Sequence, residues 1–239
     1  MGLELLKSKT GRTLIESHRG IEADVPENSW SAIKLGHQLG ADLIEVDVQM
    51  SQDGIPFLHH NYQLPDGRWC SQVLWSELKE LKLNGESLPP LEDVLVWARN
   101  AGANLSLDIK TFFRTEGSLT REVLRLLERT NTKDIVLLLF FDHEELLHTK
   151  LAHPDLTARA LFTGRLLNYA EYLQKIRADS VSVSYGLLRP EDIDQIHSIG
   201  AAVVLIEYWN QNSDLFQKFD IDVLSCGNPI EARKILNRQ

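Results

Sequence analysis

The chain has 239 residues, of which 43% are apolar and 25% charged, the balance of an ordinary soluble globular protein. A formal net charge of −9 argues against a surface built for nucleic acid or anionic membrane, while leaving room for a local basic pocket around a phosphate. Two distant cysteines, Cys70 and Cys226, form no metal-like spacing and no disulfide framework, which suits a reducing compartment.

The N-terminal "MGLELLKSKTGRTL" lacks the apolar core of a secretion signal, and no apolar run approaches the ~20 residues of a membrane span. The expectation is a cytoplasmic protein without integral membrane association. From there, short β-rich runs alternate with amphipathic helical stretches. "TLIESHRG" reads as a strand and "SWSAIKLGHQLG" as a helix, capped at Asn28 or Ser29 and stopped by Gly40. "DLIEVDVQ" is the second strand. After a Pro/Gly-studded stretch from about residue 61 to 90, with a short helix around Trp75–Leu81, come the helix "LEDVLVWARNAG" and the strand "NLSLDIK". The helix "SLTREVLRLLERT", strand "DIVLLLFF", helix "HEELLHTKL", strand "TARALF", helix "YAEYLQKI" and strand "SVSVSY" follow. The helix "PEDIDQIHSIG", strand "AAVVLIEY", helix "SDLFQKF", strand "IDVLSC" and helix "NPIEARKILNR" complete the chain. Eight strand–helix units with short connections predict one (β/α)8 barrel domain over residues 1–239. A doubly wound open sheet would show a Gly-rich phosphate loop after its first strand, and "SHRGIEAD" is not one. The 61–90 insertion follows strand two and is expected on the catalytic face.

The polar residues at the strand ends carry the chemistry. Alternate side chains on a strand share a face, so Glu45 and Asp47 point together, as do Asp108 and Lys110. Polar-out alternation is also how any half-exposed antiparallel strand looks, and Asp108 with Lys110 also reads as a structural ion pair. Converging on one barrel mouth, however, three carboxylates with no cysteine nearby suit a hard divalent ion such as Mg²⁺ or Ca²⁺. Arg19 and Lys110 are cations fit to clamp a phosphate oxygen, and two histidines fit one general base and one general acid. The chemistry implied is metal-assisted attack on a phosphoester, a small-molecule phosphodiester being the partner.

His59 and His60 compete for the second acid–base role. "QDGI" reads as a two-residue turn centred on Asp53-Gly54, so that Gln52 pairs with Ile55 and Asp47 stands opposite His60. That register puts His60 on the carboxylate face and turns His59 toward the apolar one, and a longer loop would shift it by one and reverse the choice.

The ordered strings "HRG", "PENS", "GADLIEVDVQMSQDG", "FLHH", "LPPLEDVL" and "LDIK" resemble the glycerophosphodiester phosphodiesterases, most strongly up to Lys110. The resemblance implies a (β/α)8 barrel, a divalent metal and hydrolysis of glycerophosphodiesters to glycerol 3-phosphate and an alcohol. It matches His18 and Arg19 to the family's His-Arg pair, and Glu45 and Asp47 to two metal ligands. His60 matches the second catalytic histidine, and Asp108 the third acidic ligand. Lys110 corresponds to a phosphate-contacting lysine, and Glu27 lies in the site-proximal "PEN". The chain departs from the pattern at Asn61, where Asp is usual, at Asp108, where Glu is usual, and at Ile206, which stands at a tryptophan position. Related barrels with the same arrangement imply a second reading, a lysophospholipase D or sphingomyelinase D-like enzyme, and the altered residues Asn61, Asp108 and Ile206 motivate a third, a non-catalytic barrel that binds phosphate esters. Trp69, Val73, Leu74 and Trp75 in the insertion are candidates for a lipid groove.

Overall fold

The apolar, β-branched runs form eight parallel strands: β1 Leu14–Ser17, β2 Leu43–Met50, β3 Leu105–Ile109, β4 Val136–Phe140, β5 Thr157–Ala160, β6 Ser180–Ser184, β7 Ala202–Ile206 and β8 Val223–Cys226. Each pairs with its sequence neighbour, and β1 pairs with both β2 and β8, so the sheet closes into the expected (β/α)8 barrel. The computed structural model describes residues 2–111, 116–206 and 219–236. Helices cover the outside, among them α1 Trp30–Gln38, α2 Leu91–Ala101, α3 Ser118–Thr130 and α4 His143–Ala152. Ser29 caps α1 through its side chain, which accepts from the Ala32 amide at 3.1 Å. The helix expected at "SDLFQKF" falls on residues 213–219, of which all but Phe219 lie outside the described residues, as does Trp209.

The barrel interior changes character with height. At the N-terminal end Leu5 packs from the leading segment against Leu43, Leu137, Val204 and Val223, an apolar floor. Above it the inward positions turn polar. Side-by-side partners in a parallel register share a face, which brings Glu16 beside Ser225, Arg159 beside Ser180 and Asp47 beside Asp108. Glu16 and Arg159, both about 1% exposed, pair at 2.7 Å across the barrel.

The hairpin after β2 corrects the expected register. Ser51 N–H donates to the Ile55 carbonyl at 3.0 Å, Gly54 takes a left-handed φ of 81°, and Ser51 Oγ accepts from the Ile55 amide. The loop therefore holds three residues, Gln52–Gly54, rather than two. Val48 pairs with Leu58 and Gln49 with Phe57, and the His59 amide donates to the Asp47 carbonyl. Asp47 thus stands opposite His59, not His60, because one extra loop residue shifts every partner by one.

The insertion builds a core of its own. Phe57, Leu64, Cys70, Val73, Leu78 and Leu88 cluster together, and the Trp75 ring lies 5.7 Å from that of Phe57. Its helix is a single turn, Trp75–Leu78, shorter than expected, and a hairpin Lys82–Leu83/Glu86–Ser87 follows. Val73 and Trp75 therefore pack this core instead of lining a groove.

Candidate active site

Three carboxylates meet at the C-terminal ends of β2 and β3. Strand alternation puts Glu45 and Asp47 on one face, and the parallel register sets Asp108 beside Asp47. Oxygens of the three lie within 4.8 Å of one another, all buried. Lys110, two residues beyond Asp108, reaches back to bond both Asp108 and, at 2.6 Å, Asp47.

The loop after β1 closes over this cluster. Arg19 donates its amide to Glu45 at 2.7 Å, places its guanidinium 3.6 Å from Asp47 and donates to Glu27 at 2.7 Å. It does so from a left-handed backbone conformation, φ 52°, which costs a non-glycine residue about 1–3 kcal/mol and persists because these contacts hold it. Asn28, also left-handed, donates Nδ2 to Asp47 at 2.7 Å and accepts the Asp47 amide at 2.9 Å. His18 follows β1 directly, its amide donating to the Cys226 carbonyl and its Nδ1 lying 2.7 Å from Glu22.

His59 continues the hairpin ladder opposite Asp47 through its amide, while His60 falls beyond it, so loop contacts rather than register decide the position of His60. Gln49 donates to the Asn61 carbonyl at 3.1 Å and to that of His60 at 3.4 Å, tying the loop to β2. His60 then lies within electrostatic range of Asp47, Lys110 and Arg19, its Nδ1 3.0 Å from Asn61 Oδ1. Asn61, where the family resemblance predicts Asp, thus still gives the ring a partner. His59 Nε2 meets the Gln63 carbonyl at 3.3 Å, and Glu27 and Asp47 are its charged neighbours. Burial holds both imidazoles below the usual histidine range.

The carboxylates titrate unequally. Burial, then the charges of Asp47 and Asp108, push Glu45 well above the carboxylate range. Burial also pushes Asp108 up, to about 6 against the pull of Lys110. Asp47 is held low: burial opposes its charge, but Lys110 and His60 outweigh it, with Asn28 adding a hydrogen bond. Lys110 itself is buried, yet Asp108 and Asp47 keep it firmly protonated. Three carboxylates therefore face two cations, Arg19 and Lys110, leaving the cluster short of positive charge. Asp108 Oδ1 is moreover buried without a hydrogen-bond partner. An all-oxygen donor set with an orphaned oxygen fits a hard divalent cation held by Glu45, Asp47 and Asp108.

All eight residues singled out in the sequence, His18, Arg19, Glu27, Glu45, Asp47, His60, Asp108 and Lys110, belong to this one neighbourhood. Asn28 proves to be a partner of Asp47 while Ser29 caps the helix, a distinction "PENS" alone leaves open. Glu22 and Gln49 were not legible, Glu22 because it sits on no regular element and Gln49 because its partners are backbone carbonyls. Beside the mouth, starting at Thr111 and running between α3 and α4, opens a cleft of about 1100 Å³ lined in part by Phe141, His143, Phe162 and Tyr172.

Comparison with known proteins bears on this geometry. The model of the glycerophosphoryl diester phosphodiesterase family matches residues 18–224. A glycerophosphodiester phosphodiesterase from Caldanaerobacter subterraneus subsp. tengcongensis is 26% identical over 195 residues, covering 77% of this chain and 80% of that one. The crystal structure of a glycerophosphodiester phosphodiesterase from Parabacteroides distasonis superposes with a TM-score of 0.87 at 21% identity, over 95% of this chain and 98% of that one. A phosphodiesterase from Oleispira antarctica, solved in complex with the product sn-glycerol-3-phosphate, gives a TM-score of 0.86 at 20% identity, over 96% and 99% of the two chains.

Proposed function

The chain belongs to the glycerophosphoryl diester phosphodiesterase family, and from that premise we propose that it hydrolyses glycerophosphodiesters to glycerol 3-phosphate and an alcohol, using a divalent cation, Mg²⁺ or Ca²⁺, and two histidines. The observation that carries this reading is the buried Glu45–Asp47–Asp108 cluster, short of positive charge and flanked by Arg19 and Lys110. A cation held by the three carboxylates supplies charge for the phosphoryl oxygens. Arg19 and Lys110 orient the phosphate by charge-assisted hydrogen bonds, and Glu27 fixes the Arg19 fork. Of His18 and His60, one takes the proton of the glycerol 2-hydroxyl as that oxygen attacks phosphorus, and the other protonates the departing alcohol. Water then opens the cyclic phosphate with the two roles exchanged. Of the four residues that suggest a lysolipid groove, Val73 and Trp75 pack the core of the insertion while Leu74 is exposed.

The test is release of glycerol 3-phosphate from a panel of glycerophosphodiesters and lysolipids, with each metal and after chelation. Activity should need added metal and favour the glycerophosphodiesters. His60→Ala should lose nearly all of it, as the motif match at "FLHH" implies, while His59→Ala, whose ring meets the Gln63 carbonyl, should stay within about tenfold. The opposite histidine pattern would transfer the second acid–base role to His59. Absence of turnover on every diester would leave only a phosphate-ester-binding barrel.

A further inference from the structure

The two histidines of the mouth are held differently. His60 meets the neutral amide of Asn61, whereas His18 Nδ1 lies 2.7 Å from a carboxylate oxygen of Glu22. We propose that Glu22 is the positioning residue for His18, a carboxylate that orients the ring and fixes which of its nitrogens carries the proton. This inference rests on His18 being an acid–base group of the reaction.

An ionised carboxylate only accepts hydrogen bonds, so the proton of a neutral His18 is pinned on Nδ1 and Nε2 is left as the nitrogen that exchanges protons with substrate. The hydrogen bond from His18 itself draws Glu22 below the usual carboxylate range. The arrangement is built from two loops. The Glu22 amide donates to the Gly227 carbonyl at 2.8 Å, immediately after β8, which anchors the residue beside the end of β1. A Cβ at Gly227 would stand 2.5 Å from Glu22 Oε2 and 2.8 Å from its Cδ. Gly227 is not among the residues of positive φ, so its backbone accepts alanine, and the clash with Glu22 is what calls for glycine there. The Glu22 side chain is 44% exposed, where an ion pair adds little stability. Orientation of His18, rather than stability, is what the contact provides.

The experiment compares Glu22→Ala, Gly227→Ala and His18→Ala. Steady-state kinetics on glycerophosphocholine are read alongside the ¹H–¹⁵N long-range spectrum of the His18 ring in metal-free protein at alkaline pH. The wild type should show the Nδ1–H tautomer, and Glu22→Ala a mixture of both, with kcat down about ten- to a hundredfold and KM little changed. Gly227→Ala should reproduce both effects with Glu22 still present, by displacing its carboxylate. Should Gly227→Ala not fold, Glu22→Ala carries the test alone. An unchanged tautomer and kcat in Glu22→Ala, beside an inactive His18→Ala, would overturn the role of Glu22 and leave the hydrolytic reading standing. A fully active His18→Ala would overturn both.

Discussion

The barrel buries two groups of charges, one above the other, and treats them differently. In the middle layer both oxygens of Glu16 are engaged, one by Arg159 at 2.7 Å and the other by Ser106 at 2.6 Å. Burial opposes the charge of Glu16, yet Arg159 and Ser106 bring it below the usual carboxylate range. At the mouth, Glu45 and Asp108 are pushed up, and one Asp108 oxygen has no partner. Carboxylates are buried in both places, yet in the middle layer both Glu16 oxygens are engaged and the atoms left without partners are Arg159 Nε and Nη2, whereas at the mouth the atom left without a partner is a carboxylate oxygen. Burial of a carboxylate by itself says nothing about function; the balance of its partners does.

Glu45→Gln and Asp47→Asn probe that difference most strongly. Each should cut turnover by at least about a thousandfold, since the cation loses a ligand. Thermal stability of the metal-free protein should hold or rise in Glu45→Gln, whose carboxylate is pushed up by burial and by its acidic neighbours, but fall in Asp47→Asn, which takes a charged partner from Lys110 and Arg19. Stabilisation by added metal should shrink in both. If these variants unfold while metal binding is unchanged, the mouth is a structural cluster like the layer below and the comparison fails.

Arg159→Met comes next, because it leaves Glu16 buried and unpaired. Urea denaturation should show a loss of about 3–5 kcal/mol, with the double variant Glu16→Gln/Arg159→Met recovering much of it. Turnover per folded molecule should change far less than in Glu45→Gln. A collapse of activity without loss of stability would make the middle layer part of the site.

The metal-free protein should also respond to pH. Asp108 binds its proton more tightly folded, at about 6 against 3.8 unfolded, and Glu45 is shifted in the same direction. Protonation therefore favours the fold below about pH 4, and this contribution fades as pH rises through 6, by about 3 kcal/mol for Asp108 alone. Because His59 and His60, held low, shift stability the opposite way toward pH 6.5, the Asp108 contribution is read as the melting difference between chelated wild type and Asp108→Asn. That difference should move against the wild type as pH rises through 6 and respond to saturating metal. A flat difference without metal would mean the mouth is already balanced.

Lys110→Met keeps the length of the side chain and removes its charge. Turnover should drop about ten- to a hundredfold, with weaker binding of glycerol 3-phosphate. Unchanged kinetics would return Lys110 and Asp108 to the status of the Glu16–Arg159 pair.

The sequence alone determined what depends on local periodicity. The switch between strand and helix patterns specifies the order of elements and hence the barrel, and alternation along β2 and β3 puts Glu45 with Asp47 and Asp108 with Lys110. Only the tertiary structure decided the rest. One extra loop residue moved His59 opposite Asp47, because a strand has period two and a turn can change parity without any signal in the strand itself. Asn28 left the helix cap for Asp47, and Glu22 reached His18 through a loop seated on Gly227. Glu16 found Arg159, 143 positions away, only when the barrel closed. Contacts of that kind depend on where the chain returns in space, which no local pattern encodes.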